Sequence, residues 1–439
     1  MILSVQFVTN TFYVIAFLDI VIKFFKWIKI KNNSSKAFLR LQTKYFISNF
    51  AIQIPLIIQS PFIYRRYVDD GLSDMNIAKV KIVYNVSAAV FSIFIGKILS
   101  YFNHRKIISV STIFSLVASI LRGIGTQRNF IIASILVGFA SSNIRVSFDD
   151  WLISEESKIT DCPNSHFIFT ENMSLLNIVV SVIFLSISDQ LQRRSSTETV
   201  FYFTAFLQFI GSILVYFTLT EDNQKKTESI NDNSNDTTDQ KISFKEAFKS
   251  VLNSNDKKLI PMIFLDQLYG VLLSLFWPSV PSYFSDKTVP MAKIIGMGQL
   301  SILLGTMLIS IVCKYVNSSI ILPILFFLSA SCDISMSVVF DDKFWLYWMI
   351  FLLCICDGGN SSILLGLKMS ILLGNIRGHI LGINKLCQSV YSSLLIAYSE
   401  TFPKYQQPLF SAGVLFVCSL LSALIQLVDF FKNKEIKDR

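Results

Sequence analysis

What most constrains this chain is the recurrence, from one end to the other, of apolar runs about as long as a bilayer is thick. A hydrocarbon core takes roughly 20 helical residues to cross. Runs of that order fall near 1–29, 43–66, 78–101, 107–125, 129–155, 165–188, 197–219, 257–285, 290–315, 319–339, 342–370, 377–400 and 408–431. With 52% apolar and 16% charged residues, the chain carries more apolar surface than one soluble core of its length could hide. Backbone amides in lipid must bond within their own segment, so each run is expected to be a helix and the chain an all-α polytopic membrane protein.

The first run does not read as a cleaved leader. Met1 to Thr11 lacks a basic region, and the run leads into Lys23, Lys26 and Lys29 with no small-residue cleavage site, so a retained helix is expected. If that helix enters from outside, the loop behind it is cytosolic and holds Lys31, Lys36, Arg40 and Lys44. Alternate loops add Arg105, Lys106, Lys158, Lys314, Lys368 and Arg377 and the tail residues Lys432, Lys434, Lys437 and Arg439. The opposite side collects fewer, among them Arg65, Arg66, Arg193 and Arg194, which is the positive-inside pattern. The net charge of +9 is thus assigned to topology and lipid headgroups, not to nucleic acid. The N-terminus is expected outside and the C-terminus in the cytosol, with the plasma membrane as the default location.

The stretch from Glu221 to Ser254 is polar and aperiodic until Phe244, and reads as a linker ending in a short amphipathic helix. Once the first helix is set aside, six runs lie on each side of it. The expected domains are an extra helix with its basic loop (1–44), a first six-helix bundle (45–219), the linker (220–256), a second bundle (257–431) and a tail (432–439). Six plus six around a cytosolic linker is the pattern of a two-bundle secondary transporter with solute near the midplane. A channel would show pore loops or a repeated filter sequence, and none is visible.

No metal, cofactor or catalytic site is expected. Cys313, Cys332, Cys354, Cys356, Cys387 and Cys418 lie in or beside apolar runs, where cysteine is a small hydrophobe; Cys354 and Cys356, two apart, fall on different helix faces. His104, His166 and His379 are isolated. No paired carboxylates, His/Cys cluster or serine nucleophile with a partner marks an enzyme.

Charges inside apolar runs are costly and need a reason. Phe148-Asp149-Asp150-Trp151-Leu152-Ile153-Ser154-Glu155-Glu156 puts four carboxylates at the end of a run that also holds Arg145. Arg145 and Asp149 are four apart and share a helix face. The plain reading is a self-neutralising pair that snorkels to the cytosolic edge. The functional reading is that Arg145, about three turns inside, forks onto an oxyanion. Lys385, about two turns inside the eleventh core run, could face it from the second bundle or snorkel. Asp266 and Asp357 are candidate coupling-proton carriers or fixed partners for other helices, and Gly358 and Gly359 permit close helix approach. Asp333, near an outer end, is expected to be solvated.

Gln59-Ser60-Pro61-Phe62-Ile63-Tyr64 at a helix end, Phe148-Asp149-Asp150-Trp151 followed by Glu155, Phe276-Trp277-Pro278 and Leu304-Gly305 together resemble the molybdate-anion transporter family of the major facilitator superfamily. The spacing of runs agrees over nearly the whole chain, the leading extra helix included. Departures occur at Leu56, Ser134, Lys385 and Cys387, and in the worn loop Ser100-Tyr101-Phe102-Asn103-His104-Arg105-Lys106, where the family carries other residues. The resemblance implies alternating access about a central site, a small-molecule anion as partner and protons as candidate coupling ions. In that picture Arg145 and Lys385 hold the anion, and Gln59, Tyr64, Asn143 and Asn384 supply neutral hydrogen bonds. Asp149 competes for Arg145, and Arg105 and Lys106 latch to Asp149, Asp150 or Glu155 at the cytosolic gate. A carrier of a neutral or sugar-like solute and a non-transporting sensor of the same fold remain alternatives.

Overall fold

The structure, a computed structural model, describes residues 5–31, 36–156, 159, 183–192, 194–219, 259–284, 291–313, 315–371, 386–394, 396–397 and 403–437. Every regular element among them is helical. In chain order they are α1 (Val5–Lys31), α2 (Lys36–Asp69), α3 (Asp74–Tyr101), α4 (His104–Ile124), α5 (Gln127–Glu156), α6 (183–192) and α7 (Thr197–Thr218). Then follow α8 (Leu259–Tyr283), α9 (Met291–Val312), α10 (Ser318–Val338), α11 (Lys343–Ile371), α12 (386–394) and α13 (Gln407–Lys437). Nine of the described helices are long and apolar enough to cross a membrane. The linker expected at 220–256 lies outside the described residues.

The helices are inside-out relative to a soluble bundle. Along α7, Tyr202, Phe206, Phe209, Ile213 and Phe217 form an exposed apolar stripe, while Thr204, Gln208 and Ser212 are buried on the other side. Lipid accepts the first face, and helix-to-helix contact satisfies or shields the second. In the first bundle α7 packs on α2 and α4, and α5 packs on α3 and α4; in the second, α11 packs on α9 and α10, and α13 on α8 and α10. Helix α1, although it precedes the first bundle in the chain, packs against α9.

Glycine sets the tightest crossing. A Cβ on Gly305 of α9 would overlap the carbonyl oxygen of Ile355, and one on Gly358 of α11 would overlap that of Ile302. The two backbones therefore touch, and Thr306 Oγ1 adds a 3.2 Å hydrogen bond to the Gly358 carbonyl.

One end of the first bundle is tied by Arg66, which is 4% exposed at the end of α2. Its Nε and Nη2 donate to the carbonyls of Arg122 and Gly123, each at 3.0 Å, which are orphan acceptors at the C-terminus of α4. Its Nη1 meets Asp70 at 3.2 Å and Glu198, in the first turn of α7, at 3.1 Å. Thr197 adds a 3.0 Å hydrogen bond to Asp69. The α4–α5 turn beside this clasp needs two left-handed residues, Gly125 (φ 85°) and Thr126 (φ 70°). Burial lifts the Asp70 carboxyl above its ordinary range, against the pull of Arg66. We call the side of the molecule carrying this clasp the Asp70 face.

Three expectations change. Helix α2 starts at Lys36, so Lys36, Arg40 and Lys44 ride on a helical turn and not in a loop. Helix α13 runs to Lys437, through the residues expected to form a tail. Hydropathy marks the lipid-crossing part of a helix, whereas lysine and arginine are good helix formers that extend it past the headgroups. Asp333, expected to be solvated, is 2% exposed between α10 and α13 and accepts from Ser411 Oγ. Sequence position predicts depth in the membrane, but not which way a side chain turns.

Candidate functional site

The polar interior begins on α5. Asn143, Ser147 and Trp151 recur every four residues, share one stripe, and are 0%, 0% and 2% exposed. The Asn143 Nδ2 and Oδ1, the Ser147 Oγ and the Trp151 Nε1 have no hydrogen-bond partner among the described residues. Each such buried group costs about 1–3 kcal/mol, so a helix carrying three in a row is not optimised for stability alone. At 3.6 residues per turn, Arg145 sits about 200° around α5 from Asn143, on the other side of the helix. The side chains of Arg145, Asp149 and Asp150 lie outside the described residues, as do Asn384 and Lys385; Glu155 is half-buried.

Gln59 belongs to a second group, inside the first bundle. Its Oε1 accepts from Ser119 Oγ and from Arg122 Nη1, both at 3.3 Å, and Ser119 Oγ also lies 2.8 Å from Gln208 Oε1. Arg122 is 5% exposed, its Nε has no partner, and no carboxylate among the described residues lies within ion-pair distance of it. Reading the sequence missed Arg122 and Arg66, because basic residues at the ends of apolar runs look like loop charges. The signal that could have found Arg122 is the Gly123–Gly125 pair, which ends its helix with the arginine still inside. Tyr64 faces the α2–α3 turn, donating to Asp74 at 3.1 Å. The Arg105 guanidinium lies 4.3 Å from the centroid of the Tyr216 ring.

In the second bundle Asp357 is 4% exposed on α11. Tyr269 of α8 donates to the Asp357 carbonyl at 2.9 Å and lies 3.1 Å from Ser361 Oγ, which ties α8 to α11. Asn360 donates to Ser329 at 3.2 Å. Cys354 is buried in the apolar core of the second bundle, and Cys332 of α10 packs against the same cluster. Asp266 is half-buried. Among the described residues no three His, Cys, Asp or Glu side chains converge as metal ligands.

The bundles meet on the Asp70 face. Ala292, at the start of α9, packs in one apolar cluster with Ile58 and Phe62 of α2 and Leu185 of α6. On another flank, Lys404, ahead of α13, lies 3.4 Å from Asp74 of α3. Two six-helix bundles joined across such a seam, with polar side chains buried in each, form the architecture of a carrier that rocks about its centre.

The sequence profile of a family described as sugar transporters with twelve transmembrane segments, of the major facilitator type, matches residues 7–345. The chain belongs to this family. Like other major facilitator proteins it is a membrane transporter with a two-bundle, twelve-helix core, here preceded by one extra helix. Among solved structures it is similar to a POT family transporter in complex with a thioalcohol-conjugated peptide, at 13% identity and a TM-score of 0.68, covering 88% of this chain and 96% of that one. It is also similar to the nucleoside transporter NupG, at 14% identity and a TM-score of 0.59, covering 89% and 99%. A single-residue mutant of NupG gives 12% identity and a TM-score of 0.63 over the same shares. At such identities the likeness concerns the fold. No curated protein matches the chain in sequence.

Proposed function

We propose that this major facilitator protein carries a small oxyanion such as molybdate by alternating access. The observation that supports the reading is the placement of Arg145 on α5. The opposite side of that helix is the stripe of Asn143, Ser147 and Trp151, already packed inside the first bundle. A guanidinium stays charged in the membrane, where an isolated charge is costly, and its planar fork suits a tetrahedral oxyanion. In this reading Lys385 and Asn384 answer from the second bundle, whereas Asn143, across α5 from Arg145, Gln59, bonded to Ser119 and Arg122, and Tyr64, bonded to Asp74, lie away from the anion that Arg145 would hold. Asp149, Asp150, Glu155 and Arg105 form the gate on the opposite face, with Asp266 and Asp357 as candidate proton carriers. The N-terminus is outside and the membrane is the plasma membrane.

A second reading, a neutral solute, is favoured by the description of the family as sugar transporters. Counterflow and net uptake in proteoliposomes separate the two. Saturable molybdate or sulfate uptake, measured by mass spectrometry with and without a pH gradient and lost in Arg145→Gln, supports the oxyanion. Uptake of a sugar or nucleoside that Arg145→Gln leaves intact, with no oxyanion flux in folded protein, overturns it.

A further inference from the structure

Helix α1 is joined in sequence to the first bundle but seated on the second. Phe7 stacks among Phe344, Tyr347 and Trp348 of α11, with ring centroids 5.4, 5.8 and 6.1 Å away. Val8, Phe12, Ile15 and Ala16 share one apolar cluster with residues of α8, α9, α10 and α11. Lys293 of α9 donates to Thr9 Oγ1 at 3.0 Å, and its ammonium lies 5.7 Å from the centroid of the Tyr13 ring. Against this broad seat, among the described residues α1 meets the first bundle at α6. The Tyr13 hydroxyl meets Ser186 Oγ at 3.2 Å. Phe12 and Leu185 converge over Gly296 of α9, where an added Cβ would stand 2.7 Å from each of them.

We infer that α1 is a seam helix: it moves with the second bundle, and its contact with α6 through Tyr13 and Phe12 helps hold the Asp70 face shut. A rocking motion that opens this face must part Ala292 from Phe62 and Leu185, because these side chains form one cluster across the seam. The same motion separates α6 from α9, and so from α1, which its aromatic and apolar seat keeps on the second bundle. Elements that move in a transport cycle are drawn from the weaker contacts, and here the weaker side is the one toward α6. Since Tyr13–Ser186 is a hydroxyl pair with no charge, it can break without stranding an ion in lipid. The inference rests on the two-bundle fold and the seam, and is independent of which solute is carried.

The test is a pair of distances in full-length reconstituted protein, read by spin labels on exposed positions: Leu18 with Leu308 of α9, and Leu18 with Ile187 of α6. Each pair is measured in the parent and in Tyr13→Phe, which removes only the hydroxyl, and in Phe12→Ala. The Leu18–Leu308 distance should stay single and unchanged. The Leu18–Ile187 distribution should gain a longer component in the variants. In Tyr13→Phe the ratio of the two populations should move roughly fivefold, the size expected for one neutral hydrogen bond. If Leu18–Ile187 stays fixed while Leu18–Leu308 spreads, α1 belongs to the first bundle and the inference is wrong. It is equally overturned if neither distribution changes in Tyr13→Phe protein that elutes as a monodisperse, folded species. Phe12→Ala serves as the larger perturbation and is compared only where it passes the same folding criterion.

Discussion

Replacing Arg66 should cost more than its place near the end of a helix suggests. Arg66→Met keeps most of the side-chain volume but strands the carbonyls of Arg122 and Gly123 and removes the cation facing Asp70 and Glu198. Removing one partner of a buried ion pair costs about 3–5 kcal/mol. The Glu198 side chain is 50% exposed, so its share is screened and the total should fall near the lower figure, about 3 kcal/mol. Arg66→Lys retains the charge but not the fork, reaching either the carbonyls or the carboxylates; about half the loss, roughly 1.5 kcal/mol, should return. The assay is denaturant unfolding of purified protein in a fixed detergent, followed by tryptophan fluorescence, at two pH values. Asp70 titrates above its unfolded value, so its own contribution is fully present below the ordinary carboxylate range and fades as pH rises through the raised value. Without Arg66 that elevation grows, and the loss in Arg66→Met should be larger at pH 7 than at ~pH 4. A loss below about 1 kcal/mol in Arg66→Met, or one equal in the Lys variant, would refute the clasp.

Other perturbations follow from single contacts. Gly358→Ala and Gly305→Ala, each forcing a methyl onto a facing carbonyl, should destabilise by about 1–3 kcal/mol as overpacking does, with a non-additive double variant, read by the same unfolding assay. Asp74→Asn, which weakens a half-exposed ion pair with Lys404, should change stability by less than about 1 kcal/mol. It should nevertheless raise the labelling rate of Ala292→Cys by an impermeant maleimide, and an unchanged rate would show that the pair does not hold the seam. Asp333→Asn keeps the bond from Ser411 and removes the need to bury a charge, so its thermal stability should equal or exceed that of the parent, whereas Asp333→Ala should lower it.

The helices were legible because lipid leaves one way to satisfy a backbone, and apolar runs of the right length announce it. Gly358 was readable as a close-approach residue because it interrupts a long run where bulk would otherwise be expected. The buried amides and carboxylates were less accessible to sequence reasoning. Asp333 and Asp357 have similar local contexts, and only the packing of α10 against α13 shows Asp333 turned inward. Gln59 could be nominated as polar, but its engagement with Arg122 and Ser119 depends on the packing of α2 against α4, about 60 residues apart in the chain. The packing of Cys332 of α10 against the cluster that holds Cys354 of α11 is a cross-helix neighbourhood that spacing within one helix does not encode. Nor could the seat of α1 be read, since adjacency in sequence favours the first bundle.

The seat of α1 also bears on how the chain is made. Thr9 and Lys293, which bond in the finished protein, are 284 residues apart. At a synthesis rate of ~5–20 residues per second, α1 waits roughly 15–60 s before its partner helix leaves the ribosome. Of its partners only α6 comes earlier, offering Ser186 to Tyr13, while the aromatic seat of Phe7 on α11 comes later still. A helix made ahead of both bundles is therefore among the last to find its place, and its docking reports that the second bundle has been built.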